Sequence, residues 1–377
     1  MSTSITPVES RAGLKSFILF PHRLYHGNPC WVPPLMRDEL DTLSPGRNPA
    51  FEQAEARLFL ARRNGSIVGR VAAILSHAAN RKYGTRNLRF GWFDAVRSDE
   101  VAKALLDAAA AWGRQRGMVT MTGPQGFTDL DPEGLLIEGF SERATIATIY
   151  NHPYYPALME RCGFQKEVDY VEFEARVPAG ALLPDRRAAL AERAARRSHV
   201  RLVPIRSSRE LQKDFGPRLF DLLDESFEEL YGTVPLTRKQ KDYYVRKYLP
   251  FARPDLIKVV CREDGAMVGF MIALPSLARA FQKARGRLLP LGFLHILRAL
   301  RRFDSIDFML AGVRKDFRGK GLDLLMSIDM FRSALSHKVR VAESNPELET
   351  NLRIQNEWKI VSSRQHKRRR IYRKSIA

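Results

Sequence analysis

Val313-Arg-Lys-Asp-Phe-Arg-Gly-Lys-Gly-Leu-Asp-Leu-Leu-Met326 joins an apolar, strand-like run to an amphipathic helix. Within it Arg318, Gly319, Lys320 and Gly321 make a short basic turn. Glycine has no Cβ to hold a ligand away, so backbone N–H groups in such a turn can approach an anion closely. The helix that follows turns its positive N-terminal end toward the same place. The ligand that suits this pattern carries phosphates. Asp323 stands in the first helical turn, where an inward carboxylate repels phosphate and an outward one favours the helix dipole.

Around this stretch the chain reads as two similar halves. In the first, apolar runs Leu58 to Ala61 and Ile67 to Leu75 bracket the turn Arg63-Asn64-Gly65, the pattern of a hairpin. A strand over Leu88 to Val96 follows, then a helix from Ser98 with Val101, Leu105, Ala108 and Trp112 at helical spacing, a strand over Met118 to Thr122, and a short helix over Tyr154 to Arg161. The second half repeats the order. Leu256 to Arg262 and Met267 to Leu274 flank Glu263-Asp264-Gly265, and Ile306 to Val313 is the long strand. Leu322 to Leu335 is the helix after the glycine turn, Val339 to Ala342 the next strand, and Asn351 to Val361 the short helix. Pro178 to Arg201, rich in Ala, Arg and Glu, is expected to form an exposed charged helix or linker, giving domains over 1–177 and 202–377.

The halves differ in chemistry. Where the second has its glycine turn, the first has Arg97-Ser98-Asp99-Glu100, a well-capped helix start with two acids and no glycine. Such a start repels a diphosphate, so an anion site is expected in the second half only. Asn151 reads as a cap or turn residue, and Tyr154 and Tyr155 as packing residues.

Composition sets outer bounds. The 377 residues suit two domains of ordinary size, and a net charge of +20 implies attraction for nucleotide-like cofactors, nucleic acid or an acidic membrane surface. Cys30, Cys162 and Cys261 are odd in number and widely spaced, which argues against a disulfide framework or zinc site and for a reducing, cytoplasmic compartment. The chain offers no run of about 18 apolar residues, so any membrane contact is peripheral.

The glycine turn and the repeated element order resemble the GNAT superfamily, the Gcn5-related N-acetyltransferases. Their motif reads Gln/Arg-x-x-Gly-x-Gly/Ala after a strand and cradles the pyrophosphate of acyl-coenzyme A; Arg318 and Gly321 match it, and Asp323 departs from it. The resemblance covers nearly the whole chain and implies a tandem α+β fold, each half a mixed, mostly antiparallel sheet flanked by helices. It also implies acyl-CoA as acyl donor with no metal, held by Leu310, Val313, Arg318, Gly319, Lys320, Gly321 and Leu322.

Acyl transfer to an amine needs a base, an oxyanion donor and a proton for the leaving thiolate. Glu343, at the end of a strand beside the expected thioester, is the candidate base, and its alternative is a surface glutamate. Asn351 resembles the asparagine that opens the fourth GNAT helix and contacts the coenzyme, and an N-cap role fits it equally. Glu349 is the weakest candidate. Tyr372 is placed to protonate a thiolate, with a core role as its plainer reading.

Two basic segments complete the sequence. Pro275 to Phe303 contains seven basic residues and no acid, and on a helical projection Leu289, Phe293, Ile296, Leu297, Leu300 and Phe303 oppose Arg298, Arg301 and Arg302, with Leu294 out of place. This is the pattern of a helix lying in a headgroup region, or of a lid over a long acyl chain. Arg364 to Lys374 carries seven basic residues in eleven and is expected to face the phosphates of coenzyme A or lipid; with few stacking residues and no helix-turn-helix, nucleic acid is disfavoured.

Phe90-Gly-Trp-Phe93, Gly123-Pro124, Tyr150-Asn-His-Pro-Tyr-Tyr155, the basic insert and the closing Arg370-Ile-Tyr-Arg-Lys374 resemble a group of bacterial GNAT-like proteins associated with ceramide synthesis. That resemblance implies transfer of a long-chain acyl group to a sphingoid-base-like amine, with peripheral contact at the inner face of the cytoplasmic membrane. The rival expectations are acetylation of a small soluble amine or amino acid, and a non-catalytic protein that binds acyl-CoA or lipid.

Overall fold

The computed structural model describes residues 3–178, 180–182, 185–359 and 362–377. In the first half the elements are β1 (Ser4–Pro7), α1 (Arg11–Leu24), α2 (Met36–Thr42), β2 (Ala54–Arg63), β3 (Ser66–Ser76), α3 (His77–Tyr83), β4 (Asn87–Ala95), α4 (Asp99–Arg114), β5 (Thr120–Gly123), β6 (Leu135–Glu138), α5 (Tyr155–Arg161) and β7 (Gln165–Arg176). The helix α6 (Asp185–Arg197) leads to β8 (Val200–Val203), the single turn α7 (Ser208–Glu210), α8 (Gly216–Phe227), α9 (Arg238–Tyr248), β9 (Ile257–Arg262) and β10 (Met267–Pro275). Then come α10 (Ala278–Ala284), α11 (Gly292–Arg301), β11 (Ser305–Val313), α12 (Leu322–Ser336), β12 (Val341–Glu343), β13 (Glu347–Leu348), α13 (Leu352–Lys359) and β14 (Ser363–Ser375). The expected end of the last short helix at Val361 lies outside the described residues, as does part of the 178–201 segment.

The strands form one continuous sheet in the order β1-β2-β3-β4-β5-β14-β7-β12-β11-β10-β9-β8, with β6 and β13 attached to β14 and β7. Each half contributes one parallel pair, β4 with β5 and β11 with β12, and the remaining pairs are antiparallel. Two-stranded hairpins explain the antiparallel outer parts, because turns as short as Asn64-Gly65 reverse the chain directly; a parallel neighbour needs a crossover helix, which α4 and α12 supply.

The centre departs from a simple tandem. The last strand of the first half, β7, pairs with β12 of the second, and the last strand of the second half, β14, lies between β5 and β7. The halves therefore exchange their final strands. The 1–177 and 202–377 division follows the chain but not the sheet.

Apolar cores lie on both faces. In the first half Val71, Leu88 and Phe90 of the sheet pack with Leu105 of α4 and Tyr155 of α5. In the second, α12 covers Val268, Met271, Ala273 and Ile306, while α8 and α9 cover Val259, Phe270 and Leu274 on the opposite face. The charged segment after β7 is a helix as expected, yet one side of it is not exposed: Ala191 is buried against the α12 core.

Candidate active site between the two halves

Strands β11 and β12 run side by side from Ser305/Val341 to Asp307/Glu343 and then part. Beyond this vertex, the side of β11 facing β12 has no strand beside it from Phe308 onward among the described residues, and Asn345 Nδ2 donates to the Met309 carbonyl at 3.2 Å. An extended ligand can hydrogen-bond to such an edge as an added strand does. Leu310 and Val313 lie on this open stretch.

At its far end the glycine turn forms as the sequence predicts. Gly319 and Gly321 have φ of 75° and 82°, and Gly321 is the N-cap of α12. A side chain at Gly321 is doubly disfavoured, since its Cβ would lie 2.8 Å from that of Ala194 on α6. Leu322 begins the helix, so the free N–H groups of its first turn face the turn region.

Arg318 is placed differently from the expectation. Its guanidinium donates to the Ser226 carbonyl at 3.0 Å, so it ties the turn to the C-terminal end of α8 rather than pointing into an anion site. Lys320 lies 4.8 Å from the centre of the Phe317 ring. Asp323 accepts from the Leu324 N–H at 3.0 Å and pairs with Arg353 of α13 at 2.7 Å. Against the effect of burial, Arg353 and that N–H hold its carboxyl below the usual range. The carboxylate that departs from the GNAT motif is thus neutralised by a cation, and Arg353 is brought beside the first turn of α12. Asn351 starts α13, its carbonyl accepting from the Gln355 N–H at 3.3 Å.

The matching corner of the first half is filled by the protein itself. Ser98 caps α4, Asp99 is held by Arg161 at 2.7 Å, and Glu100 by Arg63 at 3.0 Å. On β4 the Tyr155 hydroxyl accepts from the Ala95 N–H and the Tyr154 hydroxyl donates to the Ala95 carbonyl, both at 2.8 Å. Tyr25 donates to Asp94 at 2.7 Å, and Arg70 binds the same carboxylate at 2.8 Å. Asn151 spans the backbone of Leu136 on β6 at 2.7 and 3.0 Å, a structural role other than the cap or turn expected of it.

Glu343 sits at the vertex. Register places Asp307 beside it on β11, Glu174 on β7, and Lys367 of β14 opposite Glu172. Lys367 contacts Glu343 and lies 3.2 Å from Glu172, while Arg369 contacts Glu172; Lys367, Arg369 and Glu172 have no exposed side-chain surface. Burial, aided by Asp307 and Glu172 and opposed by Lys367, pushes Glu343 up to about 8. Burial also raises Asp307 to about 6 and lowers His366 to about 4, so the imidazole is neutral at physiological pH. Glu172, Glu343 and His366 present atoms close enough to share a metal ion, but the Lys367 ammonium already bridges the two carboxylates.

Two expectations are corrected by the strand exchange. Tyr372 pairs with Gly123 and Lys166 and is buried in the first-half core, away from the glycine turn. The basic strand faces carboxylates rather than phosphates: Arg364 binds Glu142, Arg370 binds Asp169, and Lys367 and Arg369 are buried against Glu172. A row of basic residues gives no sign of the acids that a distant strand sets opposite it. Glu349 is likewise an ion-pair partner, of Lys166 at 2.6 Å.

On the α8–α9 face, beside the open part of β11, lies a cavity of about 160 Å³. Leu219, Phe220, Ile272, Leu274, Met309 and Leu310 make its wall apolar. Asn345 and Pro346, just after Glu343, also line it, but Glu343 itself does not. The first half closes the chamber with the loop Asp129-Leu-Asp-Pro-Glu133. Asp131 is consumed locally, accepting from the Phe127 and Thr128 N–H groups at 2.8 and 3.2 Å. Burial pushes Asp129 up to about 6 and Glu133 up to about 8. The sequence reading missed this loop, although a signal was present: no Lys or Arg occurs between Arg116 and Arg143 in a chain that carries +20.

Paired GNAT-order units, a splayed parallel pair with a glycine turn in the second, and exchange of the closing strands define the tandem GNAT fold. The same fold is found over full length in a tandem GNAT protein from the clavulanic acid biosynthesis pathway, with TM-score 0.58 and 13% identity over 100% of this chain and 99% of that one. A GCN5-related N-acetyltransferase from Sphaerobacter thermophilus matches with TM-score 0.54 and 14% identity, covering 99% and 96% of the two chains. In sequence, the chain is 28% identical over 383 residues to the bacterial ceramide synthase of Caulobacter vibrioides, covering 99% of this chain and 97% of that protein. It is 28% identical over 370 residues to Protein YghO of Escherichia coli K12, covering 96% and 93%. No family model matches the chain.

Proposed function

We propose that the protein is an acyl-CoA-dependent N-acyltransferase that moves a long-chain acyl group to the amine of a lipid acceptor of the sphingoid-base kind. The observation that carries this reading is the apolar chamber adjoining the unpaired edge of β11. In this reading the pantetheine runs along Leu310 to Val313, the diphosphate meets Gly319 to Leu322 with Lys320 and Arg353 nearby, and the thioester reaches the vertex near Glu343. Asn351 borders the coenzyme from α13. The similarity to a protein named bacterial ceramide synthase supports a lipid amine as acceptor.

The insert supports it from outside. Ile296 of α11 is buried, but Leu289, Leu291, Phe293, Leu294 and Leu297 are 39 to 77% exposed, on a segment with Arg287, Arg298, Arg301 and Arg302 and no acid. The apolar residues therefore divide between an inward side and an outward one, where the helical projection had assigned a single face. An outward apolar group beside arginines suits an anionic lipid surface, each basic residue contributing about 1 kcal/mol. No helix among the described residues is long and apolar enough to cross a membrane.

The direct test supplies the full chain with acyl-CoAs from acetyl to palmitoyl and with sphinganine or a short soluble amine, and follows free thiol. Long-chain donors with sphinganine should release thiol fastest; turnover confined to acetyl-CoA and the short amine would replace this reading with the small-amine one. Replacing Arg298, Arg301 and Arg302 by glutamate should abolish sedimentation with anionic vesicles and leave the short-amine rate unchanged. Undiminished sedimentation would make α11 a purely structural helix.

A further inference from the structure

We propose that Asp129 and Glu133, carried by the first half, hold the acceptor's ammonium group and take its proton for attack on the thioester bound by the second half. The proposal rests on the N-acyltransferase reading and assigns the residues that make the acceptor site.

Both carboxylates line the chamber, and neither has an ion-pair partner within 4 Å among the described residues. That is unusual in this molecule, where an excess of 20 basic residues pairs acids even at the centre of the sheet. Tyr170, 5% exposed, lies against Glu133, with which its hydroxyl interacts, and that hydroxyl has no other partner among the described residues. Two carboxylates without a cation at an open volume leave a place for a donor with several N–H bonds, which a primary ammonium has. Apart from Asp131, Tyr248 and Asn345 the remaining wall is apolar, so the acceptor should be an amine on a hydrocarbon chain rather than a polar amino acid.

The charged and titratable groups around the pair fit this role. Glu133 faces Tyr170, Asp129, Arg89 and Asp131, and Asp129 faces Arg89, Asp224 and Asp131. Arg89 is turned toward backbone carbonyls, donating to Gly232 at 2.8 Å. Burial holds the two carboxyls near neutrality, where a base is most useful. In the reaction the ammonium gives one proton to Glu133, the amine nitrogen forms a C–N bond to the carbonyl carbon, and the C–S bond breaks. The second amine proton goes to the leaving thiolate, and Glu133 returns its proton to solvent.

Calorimetry with dodecylamine as probe, using the full chain at pH 7.5, tests the site directly. The wild type should bind dodecylamine at least tenfold more tightly than dodecanol. Asp129→Asn with Glu133→Gln should remove that preference, leave coenzyme A affinity unchanged and leave the melting temperature equal or higher. Glu343→Gln should keep the preference. With sphinganine, Glu133→Gln should lower kcat and flatten its rise between pH 6 and 9. An amine preference surviving the double substitution, or absent from the wild type, overturns the proposal. If the preference depends on both carboxylates but no acyl-CoA and amine react, the ammonium site stands and the transfer reading falls, together with Glu133's role as base.

Discussion

The two halves present the same corner, a strand leading to a helix, with opposite contents. After β11 the backbone turns left-handed at Gly319 and Gly321, and the strand edge is unpaired; after β4 a serine caps the helix and two tyrosines occupy Ala95. One corner leaves its strand edge and glycine turn open, and the other is closed by the protein's own hydroxyls and acids. The closed half is not idle, because its Asp129–Glu133 loop completes the chamber beside the open one.

The largest effect expected from breaking this contrast is at Gly321. Gly321→Glu adds a negative charge, a strained φ and a clash with Ala194, so coenzyme A binding should vanish in calorimetry and α6 should become accessible to protease. Residual binding of one coenzyme per chain would place the site elsewhere. Next, Tyr155→Phe leaves the buried Ala95 N–H without its acceptor and should destabilise the chain by about 1–3 kcal/mol in denaturant unfolding, with coenzyme A affinity unchanged. A loss of coenzyme affinity instead would mean that the first corner also binds it. A smaller effect is expected at Asp323: Asp323→Asn keeps the Leu324 cap but releases Arg353, so affinity for coenzyme A should rise a few-fold. A fall would show that the carboxylate positions Arg353 rather than competing for it.

The smallest signal is a slope. Burial raises Glu133, Glu343 and Glu347 to about 8 and Glu357 to about 7. Between pH 5 and 8 the folded chain therefore holds protons that the unfolded chain has released, and stability should fall as pH rises. Glu133→Gln should make that decline shallower in thermal melts across the range. An unchanged slope would mean that Glu133 titrates alike in both states.

Legibility in the sequence followed the range of the interactions. Hairpins at Asn64-Gly65 and Asp264-Gly265, the helix cap at Ser98 and the glycine turn at Gly321 are local, and each is found where its residues indicate. The same is true of the chemical inequality of the two corners, which four residues in each half express. What stayed hidden depends on which strands meet. Nothing near Tyr372 says that its strand enters the other half's sheet, and nothing near Lys367 names Glu172, 195 residues away, as its partner. Glu343 was legible as a residue at the vertex but not as one engaged by Lys367. The chamber loop escaped because its acids gain meaning only when β11 lies across from them.

The exchange of closing strands also bears on how the chain is made. During synthesis β7 emerges long before β12, and β5 waits for β14, which follows every other described strand in the chain. Until then the first half presents unpaired edges on both β5 and β7, surfaces that invite pairing with other chains. A chain interrupted before Ser363 loses the strand between β5 and β7 and, with it, the Lys367 and Arg369 partners of buried Glu172. Completion of the first half is therefore postponed until β14 has been made, so a product terminated before Ser363 should be insoluble as a whole rather than leave a folded first half behind.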